Sequence, residues 1–179
     1  DEYYIFYTDG GGVGYVRGDS PVGPWHDDLG QKMFTSKSEG CEGVKWCFDP
    51  AVLADDKGNA YIYFGGGNDE EKYVQTGRVC KLKFEKGTGI VSPDGIPKTL
   101  DTFCFFEDGE IIQIDGKYIY SYCTNWDVKE DTPYVGAVQI AAYVSSDPMN
   151  ICFFPDKIGK TKFTDEENVE HNYLGTILD

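Results

Sequence analysis

The stretch Asp55-Asp56-Lys57-Gly58-Asn59-Ala60-Tyr61-Ile62-Tyr63-Phe64 joins a tight turn to a short aromatic and β-branched run. Asp-x-Gly tolerates the positive φ that short hairpins need, and the run after it reads as a strand. The pattern recurs. Asp115-Gly116-Lys117 leads into Tyr118-Ile119-Tyr120, and Tyr4-Ile5-Phe6-Tyr7 repeats the strand near the start of the chain. The three Tyr-Ile runs are 57 residues apart at each step (61 − 4 and 118 − 61). Upstream, Pro50-Ala51-Val52-Leu53 and Glu110-Ile111-Ile112-Gln113-Ile114 read as partner strands. Downstream, Gly12 to Arg17, Gly77 to Phe84 and Val138 to Val144 read as further strands. Two of these end in matching turns, Asp19-Ser20-Pro21 and Ser146-Asp147-Pro148.

A four-stranded antiparallel unit repeated at this period is a propeller blade. A β-sandwich is the competing all-β solution, but it has no reason to keep a constant period. The expected fold is all-β, with one partial propeller domain over 1–179 and blades at approximately 1–47, 48–105 and 106–179. Dividing 179 residues by 57 leaves about three units, whereas propellers typically have four to eight. Three blades leave raw sheet edges. The expectation is therefore a piece of a longer ring, or self-association of copies that completes one. No helix of ordinary length is apparent, and the polar stretch from Asp156 to Asn172 reads as an inserted loop.

Composition agrees. The 179 residues are 40% apolar and 26% charged, enough for one buried core and too ordered a mixture for wholesale disorder. Aromatics at 15% and 22 glycines suit strands and turns. The net charge of −15 disfavours nucleic acid and anionic membranes as partners and suits a neutral ligand such as a sugar. No apolar run is long enough for a membrane span. No initiator Met, basic n-region or apolar h-region opens the chain, and its location is left open. Six cysteines without Cys-x-x-Cys spacing, and only two histidines, argue against structural zinc. Mostly reduced, buried thiols are expected, with Cys41 and Cys47 the one plausible local bridge.

Two carboxylates occupy equivalent places in the repeat. Asp49 precedes Pro50-Ala51-Val52; Glu107 follows Phe105-Phe106 and precedes Glu110-Ile111-Ile112. In a propeller both start inner strands and point into one central funnel. Glycoside hydrolysis needs carboxylates flanking a sugar, one of them protonated, and a neighbouring acid in a poorly solvated pocket raises the donor's pKa. The plainer reading is that Asp49 caps a turn and Glu107 is a satisfied polar residue.

Trp46-Cys47-Phe48-Asp49-Pro50-Ala51-Val52, the Asp55 to Gly66 stretch, Phe105-Phe106-Glu107, and Asp115 through Asn125 resemble family 43 glycoside hydrolases. So does the turn Asp19-Ser20-Pro21-Val22-Gly23-Pro24-Trp25. The likeness runs from residue 3 to about residue 150 and is greatest to members acting on xylan and arabinoxylan. It implies a five-bladed propeller and an inverting β-xylosidase or α-L-arabinofuranosidase, with plant cell-wall polysaccharide or oligosaccharide as the partner. By motif Glu107 matches the general acid, and Asp49 the carboxylate that tunes and orients it. The family's general base lies in a first blade that would precede residue 1, so the isolated chain is expected to turn over little or nothing. No cofactor is required and no metal ligand is identified; calcium on the axis of the complete domain is the ion the resemblance raises.

The family's axial histidine belongs to a fifth blade. His171 falls in the insertion just before Tyr173 to Asp179, which looks like the strand leading into that blade; His171 and His26 both read as surface residues. The resemblance has departures. Asp108-Gly109-Glu110 follows the acid where a small residue and Gly are usual, so two extra acids either disturb its pKa or face solvent. Met149-Asn150-Ile151 follows Pro148 in place of Gly-Pro. Trp46 and Phe106 flank the carboxylates as candidate subsite walls, Trp126 is a further wall, and Asn125 could bond a sugar hydroxyl; core packing is the alternative for each. Trp25 reads as structural. Gly65-Gly66-Gly67 reads as a turn, since no Lys-Ser or Lys-Thr follows as in a phosphate loop. The rival functions are a fructan-type furanosidase and a non-catalytic sugar-binding propeller module. Fructan enzymes usually carry Arg before Asp-Pro, where Phe48 stands here.

Overall fold

A computed structural model describes residues 2–67, 76–100, 102, 105–124, 140–151, 162–164 and 170–172. These residues form antiparallel sheets and no helix. In the first sheet, β1 (Tyr3–Thr8) pairs with β2 (Gly12–Gly18), which also holds β3 (Trp25–His26) and β4 (Phe34–Thr35). The second runs β5 (Ala51–Ala54), β6 (Ala60–Phe64), β7 (Arg78–Phe84) and β8 (Val91–Pro93), with β9 (Lys98–Thr99) also on β7. The third is β10 (Phe105–Ile114), β11 (Lys117–Thr124) and β12 (Ile140–Ser145). The three Tyr-Ile runs are β1, β6 and β11, and the expected partner strands are β5 and the second half of β10.

The turns are those the residues favour. Asp115 and Gly116 both have positive φ, 50° and 72°, the backbone of a two-residue hairpin that brings Ile114 opposite Lys117. At the β5–β6 turn, the Asp55 carboxylate accepts the N–H groups of Lys57 (3.0 Å) and Asn59 (2.7 Å) and the Asn59 side-chain amide. Asp55 also feels Tyr61 and Tyr118, whose hydroxyls bond to it.

All five residues of β6 are buried, because sheets cover both its faces. Ala60, Ile62 and Phe64 join Val13, Tyr15 and Phe34 in a core shared with the first sheet. Tyr61 and Tyr63 point the other way, into a core shared with the third. Strand alternation forces this division. Phe34 and Phe64 stack at 4.6 Å between centroids, and Tyr63 meets Tyr120 at 5.4 Å. The Tyr63 hydroxyl, deep in the second core, donates to the Pro148 carbonyl at 2.7 Å. Full burial of such side chains is worth about 1.5–3 kcal/mol each.

One expectation is corrected. The Asp156 to Asn172 stretch is not purely an inserted loop: β13 (Lys162–Thr164) pairs with β14 (Glu170–Asn172), and His171 lies on β14. Short strands of mixed polar residues carry little period-2 signal, so pattern reading passes over them. The expected reduced, buried thiols are found: Cys41 and Cys47 form no bridge, both are free and buried, as is Cys80, and burial pushes the Cys47 thiol up to about 12. Cys104 and Cys152 lie outside the described residues.

Candidate active site

The loop before β5 extends the β5–β6 ladder. Gly65 N–H donates to the Phe48 carbonyl at 2.9 Å, and Trp46 N–H to the Gly66 carbonyl at 3.0 Å. The same ledge reaches the next sheet, for Gly67 N–H donates to the Phe106 carbonyl at 3.0 Å. A β-carbon on Gly66 would run into the Phe48 ring and lie 2.8 Å from the Phe106 carbonyl oxygen. The glycine run is therefore what lets the loop before β5 and the start of β10 approach. Sequence reading identified a turn there, and missed this role.

Asp49 sits at the crossing. Its φ is +48°, a left-handed conformation that aspartate tolerates better than most residues. Its N–H donates to Thr8 Oγ1 at 3.0 Å, at the end of β1. Its carboxylate accepts the backbone N–H of Asp108. It is thus tied to the first sheet by its backbone and to the third by its side chain, rather than capping its own turn.

Glu107 is the third residue of β10, opposite Cys123 of β11, with register shifts on either side of it. The bulge contains Asp108, at φ +59°. Gly109 follows because a β-carbon there would collide with the fully buried Tyr120 ring. Asp-Gly is thus the residue pair that this kink needs.

Glu107 is half-buried, and burial, then the charges of Asp49 and Asp108, hold its carboxyl above the usual glutamate range. Asp49 is raised by burial and by the Asp108 charge, partly offset by the Asp108 N–H bond. Cys123, across the ladder, is raised by burial and by Asp108, Glu107 and Asp49 in turn. The two acids after Glu107 therefore behave differently. Asp108 acts on Glu107, whereas exposed Glu110 accepts the Ile111 N–H at 3.0 Å and acts on Tyr120. A carboxylic acid that keeps its proton beside a carboxylate is the arrangement general-acid catalysis requires.

Trp46 is 41% exposed and stands edge-on to Phe48 (5.6 Å) and Phe106 (5.8 Å). Trp46 thus offers an open face, while Phe106 is 7% exposed and supports it from behind. Asn125 and Trp126 lie outside the described residues. His26 is exposed, on β3 opposite Arg17. Among the described residues no group of three or more His, Cys, Asp or Glu side chains has the arrangement to hold a metal ion.

The model of glycosyl hydrolases family 43 matches residues 1–139. An arabinoxylan arabinofuranohydrolase of Paenibacillus polymyxa is 37% identical over 171 residues, covering 92% of this chain and 26% of that protein. The chain thus spans about a quarter of the length of such relatives. A family 43 arabinoxylan arabinofuranohydrolase from Bacillus subtilis, solved with cellotetraose, superposes with a TM-score of 0.74 at 35% identity, over 83% of this chain and 31% of that one. An α-L-arabinofuranosidase from Clostridium thermocellum follows at 0.66 and 31% identity, over 82% and 44% of the two chains.

Proposed function

The chain belongs to glycosyl hydrolases family 43, and from that premise we propose that it supplies the acid side of an inverting active site acting on arabinoxylan. The observation that carries the reading is the tie between the two carboxylates: the residue next to Glu107 holds the Asp49 carboxylate, and Asp49 raises Glu107. Protonated Glu107 donates to the glycosidic oxygen as its bond to the sugar breaks. Asp49 orients that acid and holds its proton on. A third carboxylate, not among the residues assigned here, activates water on the opposite face of the sugar. The exposed face of Trp46, backed by Phe106, walls the sugar subsite, and Asn125 and Trp126 complete it.

On this reading the domain is a five-bladed propeller, to which 1–47, 48–105 and 106–179 contribute parts of three blades. The succession of antiparallel sheets sharing cores supports it. An arabinofuranose side chain is preferred over a terminal xylose as substrate, because the relatives named above are arabinofuranohydrolases and an arabinofuranosidase. An oligosaccharide backbone as the surrounding ligand accords with the cellotetraose held by the Bacillus subtilis protein.

The test is hydrolysis of nitrophenyl α-L-arabinofuranoside, nitrophenyl β-xyloside and arabinoxylan. It is run on the chain, and on a longer form of the protein containing it, each beside Glu107→Gln. A fall in kcat/KM of roughly a hundred- to ten-thousand-fold on arabinoxylan is expected. Turnover that survives the substitution overturns the assignment of the acid.

A further inference from the structure

We propose that Asp108 is a positioning residue of this site: its left-handed backbone in the β10 bulge delivers the N–H that holds the Asp49 carboxylate beside Glu107, and its own carboxylate is the second anion facing that acid. The inference rests on the reading of Glu107 as the acid and extends it to a residue that the resemblance does not assign, since a small side chain is usual at this place.

Three observations carry it. First, residue 108 adopts φ +59° within the register shift between Glu107 and Glu110, where its N–H leaves the β10–β11 ladder and bonds the Asp49 carboxylate. Aspartate, asparagine and glycine accept this conformation; a β-branched residue does not. Second, Gly109 lies against Tyr120 with no room for a β-carbon, so the kink is held from below by a fully buried ring. Third, titratable groups from three segments meet at Glu107: Asp49 before β5, Asp108 on β10 and Cys123 opposite it on β11. Asp108 is the exposed member, so its charge is open to solvent and salt.

The backbone and the charge are separable by substitution. Asp108→Asn and Asp108→Gly keep the left-handed turn and remove the charge. Asp108→Val disfavours the turn as well. The first measurement is a carbon-13 NMR titration of the Glu107 carboxyl in the chain, which needs no turnover. In both charge-removing variants Glu107 is expected to titrate at lower pH than in the native protein, with the difference shrinking at high salt. Where turnover is measurable, the alkaline limb of the kcat/KM profile moves to lower pH in the same two variants, because the acid must be protonated to act. Asp108→Val is expected to lower kcat/KM by roughly tenfold or more below the Asn variant.

Unchanged titration of Glu107 in Asp108→Asn overturns the charge role. Equal behaviour of the Val and Asn variants overturns the backbone role. If Asp108→Val does not fold, Asp108→Ala, which also disfavours the left-handed turn, takes its place: kcat/KM equal to that of the Asn variant overturns the backbone role. Failure of the acid assignment is seen separately, as turnover surviving Glu107→Gln, and leaves the titration result standing.

Discussion

The two ends of β5 carry two aspartates with opposite fates. Asp55, at the far turn, is 8% exposed, yet its carboxylate is held below the ordinary aspartate range. Burial pushes it up, but the Asn59 side chain, the N–H groups of Asn59 and Lys57, and the Lys57 charge more than reverse this. Asp49, at the near end, is raised by burial first; its one such bond, from Asp108, opposes this, and the Asp108 charge adds to the rise. The same residue type, six positions apart, serves structure where donors surround it and is left frustrated where acids gather. Frustration of this kind is why we propose the Asp49 end as the functional one.

The contrast can be broken by exchange of charge. Beyond the loss of activity expected for Glu107→Gln, the largest effect is that of Asp49→Asn: up to about a hundredfold in kcat/KM, since it loosens the acid's orientation. Its stability should move the other way. A raised carboxyl favours the fold below its ordinary pKa and loses that contribution as pH rises through the folded value. At neutral pH the ionised Asp49 is therefore a burden, so thermal melting of Asp49→Asn should match or exceed the native protein at pH 7, with the difference vanishing in acid.

Asp55→Asn should do the reverse. A lowered carboxylate stabilises above the ordinary aspartate pKa, and this is lost as pH falls through the folded value. The variant should melt below the native protein at pH 7 and approach it in acid, while Glu107 titrates as before. A variant that melted normally at pH 7 would show that the charge on Asp55 contributes nothing net. The smallest effect belongs to the subsite wall. Trp46→Ala should raise KM several-fold with kcat nearly kept, because a half-exposed ring adds binding that is equal in ground and transition states. A fall in kcat instead would make Trp46 part of the catalytic geometry.

Much of this was legible in the residues. The Tyr-Ile strands, the Asp115-Gly116 turn and the places of Asp49 and Glu107 follow from short-range pattern: alternation, turn chemistry and register within a hairpin act over a few residues and leave their mark there. Double burial of β6 was not legible, since a short apolar run reads alike whether one face or two are covered. Nor was the ledge at Gly66, whose constraint comes from Phe48 and Phe106. Asp108 looked like an intruder beside the acid; that its N–H holds Asp49 depends on a bulge joining residues 59 positions apart in the chain (108 − 49).

The sequence by itself determined an all-β chain of recurring hairpins and put forward two candidate carboxylates, because those are local choices of turn, strand and side-chain type. Only the tertiary structure decided which aspartate is satisfied and which is strained. A pKa depends on burial and on charges and donors brought from other strands, and no local pattern records what will be packed against it.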